Sequence, residues 1–389
     1  MKLASYACDP LKTAGRIHEE KFTINNHNPF LKDRDRVIHC VAFRRLEYKT
    51  QVFVNHVGDH YRTRLTHTLE VAQIARTVAR ELNLNEDLAE TLALCHDLGH
   101  PPFGHAGEDG LNEAAIQYGG FDHNLHTIKI LTQLEQRHAE FDGLNLTWET
   151  LEGTIKHNGP VEGKHAKGKK TPQLITNLSQ QKDLLLSAYP SLEAQVATLA
   201  DDIAYCNHDI DDGIRAGMFK LEDLKSIREI GDIYDAVKLA YPGINSTRLT
   251  HETIRRLLKF MIDDLTFETQ KNLEQLGIAD VNDIRKQTQA VATFSPSVEI
   301  MKNNLKAFLM ENVWRDYRVN RMSLKGKQII SDLFNRLLER PECLPSDWRL
   351  KVKKLDKDGV ACVIIDYIAG MTDRFAIEEH TKMFNPNYF

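Results

Sequence analysis

The chain has 389 residues, 42% of them hydrophobic, and 55 acidic side chains outnumber 50 basic ones to give a formal net charge of −5. This balance excludes a chain-wide basic surface that would bind nucleic acid through charge alone, so an anionic substrate has to be met by a local cluster. No run approaches the roughly 18 apolar residues of a membrane-spanning helix, and the N-terminus lacks the apolar core of a secretion signal.

The six cysteines indicate a reducing compartment. They are widely spaced and include no C-x-x-C pair. Two of them, Cys95 and Cys206, fall within helical patterns, where a small reduced hydrophobic side chain fits best. We therefore expect a soluble, cytoplasmic protein that does not associate with a membrane.

The N-terminal part of the chain is polar and then basic. Residues 1–30 are weakly periodic, and we expect an arm that packs on a neighbouring subunit or on the body of the protein. Residues 31–53 have the pattern of a helix followed by a turn. They also contain many basic side chains, and the simple explanation of this charge is a helix face exposed to solvent. The chain contains no linker rich in proline, glycine and serine, which favours one large globular unit or two tightly packed lobes.

Residues 65–82 have apolar side chains at helical spacing. His67 shares a stripe with Val71 and Val78, so its imidazole is expected to point inward. Arg64 precedes His67 by three residues on the same helix face. Its guanidinium can therefore lie beside that imidazole and offer a phosphate two hydrogen bonds.

A second helix is predicted to begin after Asn85, a suitable N-cap, and its inward stripe ends at His96, next to Asp97. Beyond this pair, the glycines and prolines of GHPPFGHAGE exclude a regular helix. Such a rigid turn can aim His100 and His105 at a substrate bound beside the preceding pair.

The residue types of these two helices suit a divalent cation. One inward histidine is more often a hydrogen-bonded core residue, and an isolated His-Asp pair carries little information. The combination of His67 with His96 and Asp97, followed by an aspartate on a distant helix, favours a shared ion because buried imidazoles and carboxylates need partners. Neutral imidazole and carboxylate together suit a transition metal or a magnesium-like ion.

Further candidates follow along the chain. Glu108 can orient His105 or help to activate water, and His123 can protonate a leaving oxygen because imidazole titrates near neutral pH. Lys156 precedes a segment rich in lysine and glycine, residues 158–172, which is either a solvated loop or a basic loop that closes over phosphates.

Residues 191–217 form the next important predicted helix. Asp201, Tyr205 and Asp209 occupy positions i, i+4 and i+8, which lie along one helix face. Asp201 stands among apolar residues in mid-helix, where a carboxylate needs a partner. From about residue 221 the pattern continues as amphipathic helices, without strand-like alternation or a glycine-rich phosphate loop.

Six segments, in order, resemble the HD-domain phosphohydrolases, and among these most closely the dGTP triphosphohydrolases and their bacterial dGTPase-like relatives. The segments are FRRLEYKTQVF, RTRLTH, HDLGHPPFGHAGE, FDHN, ADDIAY and DYIAGMTDRFA. The mammalian SAM- and HD-domain dNTP triphosphohydrolases are more distant. The resemblance implies an all-α fold with an N-terminal arm (1–30), an HD-domain core (31–220) and a packed C-terminal helical region (221–389).

The resemblance also implies a role for particular residues. The expected ligands of a divalent metal, Mn²⁺, Mg²⁺ or similar, are His67, His96, Asp97 and Asp201. The residues expected in catalysis are His105, Glu108 and His123. Gln51 is expected to contact the sugar 3′-hydroxyl, and the other residues expected at the substrate are Arg64, His100, Lys156, Tyr205, Asp209 and Tyr367.

The implied activity is the metal-dependent hydrolysis of deoxynucleoside triphosphates, dGTP foremost, to deoxynucleoside and tripolyphosphate. Relatives form homo-oligomers, often hexamers, and some respond to a second, allosteric nucleotide. One alternative is an HD-domain phosphohydrolase of monophosphates or cyclic nucleotides, which the metal motif alone does not exclude. Another is a catalytically weak nucleotide-sensing oligomer that binds single-stranded DNA or RNA, against which the retained catalytic set argues.

Overall fold

The computed structural model describes residues 2–20, 28–51, 62–166 and 170–388. Within these ranges the regular structure is helical, and β-structure is limited to three isolated bridges. The predicted all-α fold is confirmed. The prediction that GHPPFGHAGE excludes a regular helix holds for residues 99–103 but is wrong for residues 104–108, because the helix Gly104–Ala114 begins there and tolerates glycine in its first turns. Four predicted segments lie partly outside the described residues, namely the arm at 1 and 21–27, the first helical segment at 52–53, the basic loop at 167–169 and the C-terminal region at 389.

The α-helices range from single turns to long rods. In chain order they are α1 (Pro29–Ile38), α2 (Val41–Arg45), α3 (Arg64–Glu81), α4 (Glu86–Cys95), α5 (Gly104–Ala114), α6 (His123–Lys129), α7 (Trp148–Ile155), α8 (Gln173–Gln181), α9 (Leu192–Arg215), α10 (Arg228–Ala240), α11 (Ser246–Gln275), α12 (Val281–Arg285), α13 (Pro296–Leu309), α14 (Tyr317–Glu339), α15 (Ser346–Val352), α16 (Lys357–Ala369) and α17 (Asp373–Phe384). Short 3₁₀ and π turns lie between several of them.

The chain divides into two compact units, each assembled from three separate segments. The first unit comprises residues 1–37, 67–95 and 145–316, and the second comprises residues 38–66, 96–144 and 317–389. Each unit contains some of the predicted site residues. The division into arm, core and C-terminal region stays a prediction.

Helix α9 lies at the centre of the first unit, where it packs against α4, α7, α11 and α13. Local capping fixes where two of these helices begin. Asn85 accepts a hydrogen bond from the backbone N–H of Leu88 at 3.0 Å, as predicted, and Ser191 caps α9 in the same way. Helices α7 and α4 approach closely because residue 153 is glycine: a Cβ there would lie 2.6 Å from Leu92.

The described part of the N-terminal arm packs on the first unit. The backbone N–H of Cys8 donates to Glu193 at 2.8 Å, and that of Ala14 donates to Glu149 at 2.7 Å. Arg16 donates to the fully buried carboxylate of Asp33 at 2.5 Å. Of the two surfaces proposed for the arm, the described residues therefore use the body of the chain.

The core of the second unit forms around α14, which packs against α5, α16 and α17. Phe103, Ile330 and Phe334 belong to its buried apolar cluster. Residue 326 has to be glycine for this packing, because a Cβ there would lie 2.8 Å from the Phe103 side chain. Burial of this cluster is the main stabilising contribution within the unit.

Cys95 and Cys206 are buried, reduced thiols, as predicted. Among the described helices, none combines the length and the apolar character needed to cross a membrane.

Candidate active site

His67 is buried on α3 within the predicted inward stripe, beside fully buried Val71 and Val78. Its Nε2 atom lies 2.9 Å from Oδ1 of Asp201, which stands in the middle of α9. A ring nitrogen and a carboxylate oxygen both carry lone pairs, so this contact needs a cation, either a proton on Nε2 or a metal ion. Imidazole nitrogen and carboxylate oxygen are common ligands of divalent metals, so the pair fits a metal site.

A second histidine lies on the other side of the His67 ring. Nδ1 of His208 is 3.3 Å from Nδ1 of His67, with the two rings nearly perpendicular. Nε2 of His208 contacts the carboxylate of Glu70, one turn beyond His67 on α3. His208 stands two turns beyond Asp201 on α9, so the same helix face supplies groups to both sides of His67.

On the same helix, Tyr205 and Asp209 lie beside the indole of Trp314. The ring of Tyr205 lies 5.3 Å from that of Trp314, whose Nε1 donates to Oδ2 of Asp209 at 2.9 Å. Burial and the neighbouring carboxylate of Asp209 raise the pKa of Tyr205, so its phenol stays protonated. The predicted substrate residues of α9 thus form an aromatic and hydrogen-bonding wall in the first unit.

Lys156 is fully buried directly after α7. Its Nζ donates to Oε1 of Glu152 at 2.9 Å, and Arg285 Nε lies 3.7 Å from the same oxygen. Burial lowers the pKa of Lys156. The side chain therefore has an internal partner in this conformation, and its contact with substrate stays a prediction.

In the second unit, Arg64 opens α3 and pairs with Asp97. Nη1 of Arg64 donates to Oδ2 of Asp97 at 2.8 Å, and both side chains are buried. Burial alone would raise the pKa of Asp97, but the charges of Arg64, His96 and His100 outweigh burial and hold that pKa well below its ordinary value. Asp97 is thus ionised near neutral pH, as a metal ligand has to be.

The rest of the guanidinium is available to a ligand. Nε and Nη2 of Arg64 are buried and have no hydrogen-bond partner among the described residues. Gly104, at the start of α5, leaves the space for Nη2, because a Cβ there would lie 2.8 Å from that atom. Buried donors of this kind are costly to leave unpaired, so an anion that accepts from them would be favoured.

Three imidazoles lie close to this ion pair. His100 Nδ1 is 3.0 Å from Oδ1 of Asp97, and its ring stacks on that of His123 with centroids 3.9 Å apart. The ring of His105, which is exposed, lies 5.4 Å from that of His100. Burial and the charge of Arg64 lower the pKa of His100 well below its ordinary value, so this ring is neutral. Its buried Nε2 has no hydrogen-bond partner in the described ranges.

Glu108 pairs with His123 rather than with His105. Its carboxylate lies 2.8 Å from Nδ1 of His123 and accepts from the backbone N–H of the same residue at 3.0 Å. Nδ1 of His123 is thereby engaged, which leaves Nε2 as its second nitrogen for a reacting group. One ligand atom each from His100, Glu108 and His123 lie within 4.8 Å of one another, so this group also offers ligands suited to a cation.

Gln51 follows a backbone segment held by one buried carboxylate. Asp373 accepts from the backbone N–H of Thr50 and from that of Phe103, each at 2.9 Å, and also from the Thr50 hydroxyl. Oε1 of Gln51 is buried and lacks a partner in the part of the chain that the structure describes. Asp373 thus fixes the backbone next to Gln51.

Tyr367 is buried in the apolar cluster of the second unit, 5.2 Å from the ring of Trp348. Its hydroxyl makes no hydrogen bond of normal geometry within the described residues, and burial together with the nearby Glu379 carboxylate raises its pKa. Its predicted contact with the nucleotide stays a prediction.

Comparison with known proteins identifies the family. The HD domain family matches residues 64–206, and the phosphohydrolase-associated domain family matches residues 292–382. A deoxyguanosinetriphosphate triphosphohydrolase-like protein of Caulobacter vibrioides is 51% identical over 383 residues, 98% of this chain and 96% of the relative. The chain belongs to the deoxyguanosinetriphosphate triphosphohydrolase-like family of HD-domain proteins.

Other members of this family are similarly close. The like-named protein of Parvibaculum lavamentivorans is 50% identical, with 98% of this chain and 96% of the relative covered. That of Brucella suis is 47% identical, with 98% and 95% covered. The HD match contains every predicted metal ligand and every predicted catalytic residue.

Three side chains beside the predicted site residues were not predicted from the sequence: His208, Glu70 and Trp314. Helical spacing could have indicated the first two, because Glu70 lies three residues after His67 and His208 lies seven after Asp201. No local pattern points to Trp314, whose contact with Asp209 joins positions 105 residues apart.

Proposed function

We propose that this protein is a metal-dependent hydrolase that converts deoxynucleoside triphosphates, dGTP foremost, to deoxynucleoside and tripolyphosphate. The observation that carries the proposal lies in the second unit. There, one nitrogen of Arg64 pairs with Asp97 and keeps that carboxylate ionised, and two further nitrogens of Arg64 have no partner among the described residues. The rings of His100 and His123 stack nearby. Fixed positive charge beside an ionised metal-type carboxylate suits a phosphate ester. The names of the close relatives favour the triphosphate substrate.

We assign the metal to the residues of the HD pattern: His67, His96, Asp97 and Asp201. Two observations support this assignment separately. His67 and Asp201 face each other at 2.9 Å in the first unit, and in the second unit the buried His96 lies next to an Asp97 that is held ionised. When bound, a divalent ion such as Mn²⁺ or Mg²⁺ would polarise the α-phosphate and lower the pKa of water at the site.

The surrounding side chains would bind and orient the substrate. Nε and Nη2 of Arg64 would donate to phosphate oxygens, and Nε2 of His100 would contact the same group. Gln51, whose Oε1 is buried without a described partner, would meet the sugar 3′-hydroxyl. Tyr205 would pack against the sugar or base, with Asp209 beside it.

Proton transfer would involve His123 and His105. Hydrolysis at the α-phosphorus breaks the bond to the 5′-oxygen, which has to gain a proton as the deoxynucleoside leaves. Nε2 of His123 would supply that proton, with Glu108 holding the ring through Nδ1. His105, the exposed imidazole of the group, would accept a proton from the attacking water.

Product analysis tests this proposal. The purified protein would be incubated with Mn²⁺ or Mg²⁺ and each of the four dNTPs, alone and mixed, and the products separated by chromatography. Deoxynucleoside plus tripolyphosphate is the expected result. Monophosphate plus pyrophosphate would retain a metal hydrolase but reject the triphosphohydrolase. No turnover, followed by cleavage of a monophosphate or cyclic nucleotide, would favour another HD phosphohydrolase, and nucleotide binding without cleavage would favour a sensor.

We further propose that the protein acts in the cytoplasm as a homo-oligomer, with a hexamer as the first candidate. The reduced state of the cysteines supports a cytoplasmic location, and the oligomers that the family resemblance implies support self-association. Light scattering after size exclusion, with and without dGTP, would give the subunit number and show whether a second nucleotide changes it. A monomer under both conditions would contradict the proposal.

A further inference from the structure

Four side chains of the first unit lie in a row that ends at the proposed metal ligand. Glu70 contacts Nε2 of His208, Nδ1 of His208 lies 3.3 Å from Nδ1 of His67, and Nε2 of His67 lies 2.9 Å from Asp201. The two rings are nearly perpendicular, at 83°. The row uses both nitrogens of both imidazoles, so the position of each proton along it depends on the others.

The carboxylate at the start of the row decides where these protons lie. An ionised carboxylate only accepts hydrogen bonds, so Nε2 of His208 has to carry the hydrogen that faces Glu70. In the neutral ring, Nδ1 of His208 is then an acceptor, and Nδ1 of His67 has to donate to it. With its hydrogen on Nδ1, a neutral His67 presents the lone pair of Nε2 towards Asp201.

We propose that His208 and Glu70 are positioning residues that set the tautomer and ring orientation of His67 for metal binding. The inference rests on the proposed function only in that His67 is a metal ligand. Metal-binding histidines commonly donate their second ring N–H to a carboxylate or carbonyl. Here a second imidazole is interposed, so that the charge of Glu70 acts on His67 through His208.

The locations of the two residues fit this role. His208 is 4% exposed, so water does not readily replace it as the acceptor for His67. The side chain of Glu70 is 43% exposed and reaches from the surface of α3 to the buried ring. Because Glu70 lies at the solvent-exposed end of the row, its negative charge stays partly hydrated, and the free-energy cost of desolvating it is small.

The test is a calorimetric titration in which Mn²⁺ alone is added to the metal-free protein. The variants are His208→Ala, His208→Gln, Glu70→Ala and the double alanine variant, with His67→Ala as the reference for loss of the site. Exposed residues of the same unit, His251 and Glu81, provide the controls His251→Ala and Glu81→Gln. Thermal unfolding without metal checks that each variant is folded.

We expect His208→Ala to weaken Mn²⁺ binding about 10- to 100-fold, and Glu70→Ala to weaken it less. His208→Gln should recover most of the affinity because its amide oxygen can accept from His67 and its amide nitrogen can donate to Glu70. The double variant should bind no more weakly than His208→Ala, because both changes interrupt the same row. The two controls should match the wild type.

The possible failures are distinguishable. If the wild type binds no Mn²⁺, or if His67→Ala binds like the wild type, the proposed metal site is wrong and the positioning role falls with it. If His67→Ala loses binding but folded His208→Ala and Glu70→Ala do not, only the positioning role is overturned. Independent, additive losses in the double variant would also overturn it. Should His208→Ala fail to fold, His208→Gln and Glu70→Ala decide the question by the same criteria.

Discussion

Nη1 of Arg64 lies 2.8 Å from Oδ2 of Asp97, with the two side chains only 1% and 6% exposed. A buried ion pair adds little net stability compared with apolar packing, but loss of one partner leaves a buried charge without compensation. The pair therefore matters through Asp97, which it keeps ionised and oriented. It also places the other guanidinium nitrogens beside that carboxylate.

Substitution of Arg64 should therefore affect both stability and activity. Arg64→Ala should lower the free energy of unfolding by about 3–5 kcal/mol, because Asp97 stays buried without its cation. Arg64→Lys should cost less but still reduce kcat/KM, because a lysine lacks the planar set of donors. Urea unfolding of the metal-free protein and steady-state kinetics would measure the two effects.

Arg80 near the end of the same helix provides the matched control. It pairs with Glu86 at the surface, where solvent screens the charges, so Arg80→Ala should change the free energy of unfolding far less than Arg64→Ala does. Equal unfolding midpoints for Arg64→Ala and Arg80→Ala would show that the Arg64–Asp97 pair lacks the proposed energetic role.

The Glu108–His123 pair predicts a separate kinetic effect. His123→Ala should reduce kcat about 10²- to 10⁴-fold if this ring protonates the leaving oxygen. Glu108→Gln should reduce kcat by less, because the amide oxygen can still accept from Nδ1 but carries no charge. Glu113→Gln, on the exposed side of α5, is the control and should retain the wild-type kcat. A kcat of His123→Ala within a few-fold of the wild type would remove His123 from the proton-transfer step.

Sequence alone predicted the parts of the site that follow helical periodicity. His67 is inward and buried because it shares a stripe with Val71 and Val78, and Asp201 finds a partner as its mid-helix position required. The start of α4 after Asn85 was also predictable, because a side-chain cap satisfies a backbone donor that the helix leaves unpaired.

The remaining features depend on contacts that no local pattern encodes. Asp373 accepts a hydrogen bond from the backbone N–H of Thr50, 323 positions earlier in the chain. The burial of Lys156 against Glu152, four residues earlier, is another such feature, and its contact with substrate stays a prediction. The four-residue spacing of Glu152 and Lys156 is evident in the sequence. Glu–Lys pairs at this spacing on helices are usually solvated, so the spacing alone does not predict that the pair is buried.

Lys49 predicts a dependence of stability on pH. Its Nζ is buried and donates to the carbonyl oxygens of His100 and Ala369, and burial lowers its pKa from 10.5 to about 7. Between pH 7 and 10.5 the unfolded chain binds a proton that the folded chain does not. The contribution of Lys49 therefore makes the protein more stable as pH rises through this window, by on the order of a few kcal/mol.

The direction of this pH dependence can be measured by comparing the wild type with Lys49→Met, which removes the titrating group. The free energy of urea unfolding of the wild type, relative to the variant, should increase between pH 7 and pH 9.5. Lys259→Met, an exposed lysine on α11, serves as the control and should follow the wild-type pH profile closely. A difference between wild type and Lys49→Met that stays constant or falls with pH would show that Lys49 remains charged in the folded protein.

The hydroxyl of Tyr367 distinguishes a core residue from a nucleotide contact. It is buried near Glu379 but makes no hydrogen bond of normal geometry among the described residues, so Tyr367→Phe should leave the free energy of unfolding nearly unchanged. Tyr234→Phe is the matched control: its hydroxyl lies 2.9 Å from Glu222, so this change should cost about 0.5–1.5 kcal/mol. If the Tyr367 hydroxyl binds the nucleotide as predicted, Tyr367→Phe should raise KM for dGTP about 2- to 10-fold at unchanged stability. An unchanged KM would make Tyr367 a packing residue and remove it from the substrate site.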